Sequence, residues 1–231
     1  MVLSNAASLY FDLACAKHPQ EPGYYWAGFV GARNAFGFCP LDARALPNAD
    51  PMGRALGDDV LNALHGLDAG GRARIKGLQG QLWGENARSR ARLEYLALPR
   101  MIALAERAWA PDPGWEQVAD PHERAERAAR DWNAFANRLG QRVLPRLDRA
   151  PQPWDYRLPP PGARVADGLL HANVELPGLS VHYTVDGSAP GAGSPRYAAP
   201  VALAGVLEVK LATVDTRGRI SRIVTLKVDQ A

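Results

Sequence analysis

Cysteine is nearly absent: Cys15 and Cys39 are the only two in 231 residues. They form no C-x-x-C pair and have no metal spacing, which excludes a disulfide framework and a cysteine zinc centre. The five histidines (18, 65, 122, 171 and 182) are scattered without metal-ligand spacing, and His171 and His182 are expected at ordinary surface positions. Charge of one sign is lacking too: 27 basic against 24 acidic side chains give a net charge of +3. That is too weak to indicate a nucleic-acid partner. The densest arginine region, 86–149, interleaves its charges with acids. No run approaches the roughly 18 apolar residues of a membrane span, and the start, MVLSNAASLYFD, lacks the basic and apolar regions of a signal peptide. A Gly-rich nucleotide loop, a Ser-His-Asp order and a Cys-His pair are also missing, as is any internal repeat. No cofactor is expected.

Hydrophobic residues make up 47% of the chain, enough for a packed core. Residues 2–11 read as a short buried strand ending at Tyr10-Phe11-Asp12. A long Pro- and Gly-punctuated excursion follows, with the aromatic cluster Tyr24-Tyr25-Trp26 and a weak helix over 58–67. Excursions of this length in compact domains tend to line a binding site. Residues 75–83 read as the next strand and 86–110 as helix, which Pro99 should kink or split. Asp120-Pro121-His122-Glu123 is a helix start, with Asp120 as N-cap. Its apolar stripe is Ala125, Ala128, Ala129, Trp132, Phe135, Leu139 and Val143. After Leu147, a proline-rich linker is expected over 151–163. Beyond it, short alternating runs separated by Gly, Pro and Asp turns predict a small antiparallel β-sandwich over 164–231.

Two strand ends carry groups suited to a sugar. Period-two alternation puts Tyr10 with Asp12, and Trp83 with Glu85. Trp26 follows in the first loop. Indole faces pack on the apolar face of a pyranose, and carboxylates accept hydrogen bonds from its hydroxyls. Each residue also has an ordinary alternative. Trp83 could be core, Asp12 could cap a turn, Glu85 could favour a helix N-terminus, and Tyr10 could be a buried phenol.

Several spaced motifs agree in order. S-x-x-x-x-Y-F-D stands at 4–12, E-P-G-Y-Y-W at 21–26, G-Q-L-W-x-E at 80–85, P-R-x-x-A-x-A-E-R-x-W at 99–109, and a Y-T-V-D-G-S-A-P turn at 183–190. In this order they resemble the end of a family 20 glycoside hydrolase, the β-N-acetylhexosaminidases and bacterial chitobiases. The resemblance implies an α/β plus all-β fold: the last two units and closing helix of a (β/α)8 TIM barrel over 1–150, then an immunoglobulin-like sandwich. It also implies substrate-assisted, retaining release of terminal N-acetylhexosamine, in which the substrate's acetamido oxygen attacks the anomeric carbon. By that likeness Tyr10 steadies the acetamido oxygen and the oxazolinium, and Asp12 and Glu85 bind the O6 and O4 hydroxyls. Trp83 walls the pocket, and Trp26 packs toward the adjoining sugar. Glu106 and Arg107 are expected to pack the helix.

The family's neighbouring Asp-Glu pair, which supplies the general acid and orients the acetamido nitrogen, has no counterpart here. The one acidic doublet, Asp58-Asp59, falls elsewhere. The expectation is therefore a portion that does not hydrolyse glycosides alone. The partners implied are an N-acetylhexosamine-terminated oligosaccharide and the missing N-terminal part of the enzyme, with the bacterial periplasm or envelope as the location of the whole. The competing reading is a non-catalytic module, whose sandwich binds carbohydrate or a protein partner on a helical scaffold.

Overall fold

A computed structural model describes residues 1–41, 54–63, 67–110 and 112–228. The chain forms two compact units, Met1–Trp132 and Asn133–Ala231.

In the first unit, β1 (Val2–Leu3) pairs in parallel with β2 (Gly77–Leu78), and the pairing resumes at a bridge between Tyr10 and Gln81. The expected continuous strand over 2–11 is interrupted by a helical turn, α1 (Ala6–Leu9). Ala6 and Ala7 favour helix over strand, and the Asn5 carbonyl accepts from Leu9 N at 2.7 Å. The chain is then back in extended geometry at Tyr10. The strand expected over 75–83 is likewise short, and ends in a 3₁₀ turn at Gly84–Asn86.

Helix α2 (Ala32–Phe36) packs on α6 (Arg100–Trp109). The weak helix expected over 58–67 appears as α3 (Asp58–Ala63), with 64–66 outside the described residues. It is followed by α4 (Ala69–Ala73). The split foreseen at Pro99 is present. Ser89 caps α5 (Arg90–Ala97) through the Arg92 N–H, and Leu98 turns extended before the proline. Leu9, Leu13, Val30, Ala35, Leu96 and Ala103 are fully enclosed in this core.

Arg107 makes a buried ion pair with Glu116 and lies over the Trp115 ring, 5.1 Å from its centroid, so it is a packing group as expected. Asp120 caps α7 (Pro121–Arg138), its Oδ1 accepting from the N–H groups of His122 at 2.7 Å and Glu123 at 3.1 Å. The α7 stripe is buried only from Trp132 onward; Ala125 is exposed. Short alanine side chains add little to bury at the helix start.

The second unit continues through a π turn (Leu139–Val143) and α8 (Leu144–Asp148) into a sandwich of two three-stranded antiparallel sheets. One sheet orders β3 (Gly162–Ala166), β4 (Leu169–Asn173) and β6 (Val201–Ala202). The other orders β5 (Ser180–Thr184), β7 (Glu208–Val214) and β8 (Val224–Lys227). Leu170, Val181, Leu203, Val209, Leu211 and Val228 form the core between them.

The proline-rich segment before β3 is packed rather than loose. Tyr156 is 2% exposed, donates to Asp148 Oδ2 at 3.1 Å and lies under the Arg219 guanidinium. Burial and the neighbouring carboxylates Asp148 and Asp215 push the Tyr156 phenol well above its ordinary range. His182 is buried, against the surface position expected. The segment at 194–197 pairs along the free side of β5, and the Ser194 carbonyl lies 2.7 Å from His182 Nδ1.

Candidate sugar-binding site

The bridge between Tyr10 and Gln81 aligns the two chain segments whose ends carry the predicted residues. Phe11 N donates to the Gln81 carbonyl at 2.6 Å, and Gln81 N donates to the Leu9 carbonyl at 2.9 Å. This register sets Tyr10 beside Trp83, with ring centroids 6.4 Å apart and planes inclined at 62°. Trp26 arrives from the excursion. There the chain turns back and runs alongside 12–14, with Tyr24 N donating to the Asp12 carbonyl at 2.9 Å and Ala14 N to the Tyr24 carbonyl at 2.7 Å. Gly23 makes this return possible. Its φ is +122°, and a Cβ there would stand 2.5 Å from Ala14 N. Trp26 thereby meets Tyr10 edge to face at 5.9 Å.

The outcome is a phenol flanked by two indoles that are half open to solvent: Trp26 is 61% and Trp83 50% exposed. Large aromatics left open side by side on a surface lack the burial that would make them core.

Asp12 is 2% exposed, and its Oδ1 has no hydrogen-bond partner among the described residues. Burial raises its pKa, and the nearby Glu85 carboxylate raises it further. Its own N–H, the Arg100 guanidinium and the Trp83 N–H pull it down. Glu85 is exposed within the 3₁₀ turn after Trp83. Strand alternation therefore does not hold at Glu85, yet the turn still leaves its carboxylate close enough to Asp12 to be felt. The arrangement offers an aromatic surface, a phenolic hydroxyl and two carboxylates on one side of the unit.

Two further residues escaped the sequence reading. Glu21 is 8% exposed and accepts from the Tyr95 hydroxyl at 3.0 Å, pinning the start of the excursion to α5. Arg100, inside the P-R motif, is 1% exposed and donates to the carbonyls of Phe11, Leu13, Val30 and Leu96. An arginine directly after the helix-splitting proline was the available signal.

Among the described residues, no group of three or more His, Cys, Asp or Glu side chains is placed to hold a metal ion. No described helix is long and apolar enough to cross a membrane.

Comparison with known proteins gives consistent similarities. The chain is 35% identical to the N,N'-diacetylchitobiase of Vibrio harveyi over 202 residues, 81% of this chain and 21% of that protein. It is 34% identical to a beta-hexosaminidase of Vibrio vulnificus over 208 residues, 81% of this chain and 23% of that one. It thus spans about a fifth of the length of these relatives. A crystal structure of a family 20 exo beta-N-acetylglucosaminidase from Vibrio harveyi, in complex with N-acetylglucosamine, matches 58% of this chain and 17% of its own at 28% identity, with a TM-score of 0.35. Residues 143–223 match the chitobiase/beta-hexosaminidase C-terminal domain. Residues 1–112 match the catalytic domain of glycosyl hydrolase family 20, and with both domains present in order the chain belongs to that family.

Proposed function

We propose that this chain supplies one wall of the terminal-sugar pocket of a β-N-acetylhexosaminidase. The observation that carries the reading is the convergence of Tyr10, Trp26 and Trp83 beside the buried, half-satisfied carboxylate of Asp12. A buried carboxylate oxygen without a donor is costly, and a sugar hydroxyl can supply that donor.

In this reading the Trp83 indole packs on the apolar face of a terminal N-acetylhexosamine, and Trp26 faces the adjoining sugar. Asp12 takes O6 and Glu85 takes O4. The Tyr10 hydroxyl donates to the acetamido oxygen. As that oxygen attacks the anomeric carbon, positive charge spreads over the forming oxazolinium ring. A donor held in place orients the internal nucleophile and needs no rearrangement as charge shifts. Departure of the leaving group requires a proton from a general acid, and no segment of this chain matches the family's Asp-Glu pair. The chain alone is therefore a binding wall without turnover, and the upstream part of the enzyme is its partner in catalysis. We assign 1–150 to the catalytic part and 164–231 to a structural sandwich joined by 151–163. The bacterial periplasm or envelope is the compartment for the whole enzyme.

Calorimetric titration of the purified chain with N-acetylglucosamine tests this. Millimolar binding that is lost in Trp83→Ala and Glu85→Gln is expected, without release from a chromogenic N-acetylglucosaminide. Equal binding by both variants, or turnover by the chain, would contradict it.

A further inference from the structure

Arg100 holds the wall from behind. Its Nε donates to the Leu96 carbonyl at 2.8 Å, and its Nη1 donates to Leu13 at 2.6 Å and Val30 at 2.8 Å. Its Nη2 donates to the Phe11 and Leu96 carbonyls. The guanidinium carbon lies 5.3 Å from the centroid of the Phe11 ring. A planar fork that distributes its donors over four carbonyls permits little rotation of any of them.

Two of those carbonyls, Phe11 and Leu13, flank Asp12. The Phe11 carbonyl belongs to the same peptide as the Asp12 N–H, one of the groups that favours the charged carboxylate. The third, Val30, lies in the excursion just after Trp26, where the chain is also tied to the strand by Val30 N donating to the Ala14 carbonyl at 2.9 Å. One side chain therefore fixes the peptide that enters Asp12, the Leu13–Ala14 peptide one residue beyond it, and the loop that delivers Trp26. A lysine could keep the charge but not the fork.

We propose that Arg100 is the positioning residue for Asp12, acting by anchoring the Phe11 and Leu13 carbonyls so that the buried carboxylate faces the sugar site. This rests on Asp12 being a sugar ligand. Arg100 itself does not touch the sugar; its effect passes through Asp12.

The test is a double-mutant cycle on the full chain with Arg100→Lys, Asp12→Asn and the pair. N-acetylglucosamine binding is read by titration, and the Asp12 side-chain carboxyl by ¹³C NMR across pH. Positioning predicts that Arg100→Lys weakens binding about tenfold, that the pair is no weaker than Asp12→Asn alone, and that the Asp12 carboxyl titration moves. Losses that add, together with an unmoved Asp12 titration, would overturn it. Should Asp12→Asn bind as the wild type does, the sugar-ligand reading fails, and the carboxyl titration still decides whether Arg100 controls Asp12. If the lysine variant does not fold, the ¹⁵N guanidinium resonances of wild-type Arg100 give the answer. They should follow the Asp12 titration, and their invariance would refute the link.

Discussion

The buried pair between Arg107 and Glu116 joins the last turn of α6 to the 3₁₀ turn Trp115–Gln117, with side-chain exposures of 7% and 2%. Replacing Arg107 with methionine keeps the apolar stem and removes the charge, leaving a carboxylate enclosed without its cation. Removing one partner of such a pair costs about 3–5 kcal/mol. Here the contact runs through Arg107 Nη2 and Glu116 Oε1, while Arg107 Nε and Glu116 Oε2 have no hydrogen-bond partner among the described residues, so the low end applies, about 3 kcal/mol. For a unit of this size that lowers the melting temperature by about 10 °C.

The loss carries a pH signature. Burial raises the Glu116 pKa above its ordinary value of 4.5, while Arg107 and the Leu41 N–H pull it back. A raised carboxyl contributes stability in full below the unfolded-state value and loses it as pH rises through the folded one. Without Arg107 the folded value climbs further, so the deficit is large at pH 7 and shrinks toward pH 4.5. Denaturant unfolding followed by near-UV circular dichroism, at both pH values, measures this. Arg107→Met/Glu116→Leu should recover most of the stability. A single variant costing less than about 1 kcal/mol and showing no pH dependence would rule out an enclosed, uncompensated Glu116 carboxylate.

In the π turn of the second unit, a Cβ on Gly140 would stand 2.0 Å from the Pro177 carbonyl oxygen. Gly140→Ala should therefore destabilise by about 2 kcal/mol or more in calorimetry, although alanine is ordinarily the better helix former by about 1 kcal/mol. Because burial raises the Asp12 pKa above 3.8, its stabilising share is full below that value and lost as pH rises through the folded one. Asp12→Asn should then gain about 1 kcal/mol at pH 7 and nothing near pH 3, and an equal effect at both would contradict this. Limited proteolysis should leave a resistant C-terminal fragment beginning near Asn133 rather than Arg164, because α8 and the proline-rich segment are tied to the sandwich through Asp148, Tyr156 and Arg219. A stable core starting at Arg164 would disprove it.

Local signals made the helix boundaries legible. Asp120-Pro121 and Pro99 act on their own neighbours, and the structure places starts and breaks there. The sandwich was legible for the same reason: alternation and turn residues are local. The breaks in the two barrel strands were not, since the choice between helix and strand at 6–9 depends on pairing with a distant segment. His182 was misjudged because its cover at 194–197 comes from a loop whose path alternation does not encode. At the site, the residue types were readable in the motifs, whereas their convergence depended on the Tyr10–Gln81 register and the Gly23 turn. Arg100 stayed hidden because four backbone carbonyls leave no trace in side-chain sequence.

A wall built from Trp26 and Trp83, with Asp12 and Glu85, would bring N-acetylhexosamine against two of the indoles. The ¹⁵N indole resonances of the six tryptophans, followed as N-acetylglucosamine is added, test it directly. Saturable shifts are expected at Trp26 and Trp83, with Trp109, Trp115, Trp132 and Trp154 unmoved. Still indoles at Trp26 and Trp83, with shifts confined to β-sandwich resonances, would contradict it and favour a binding module instead.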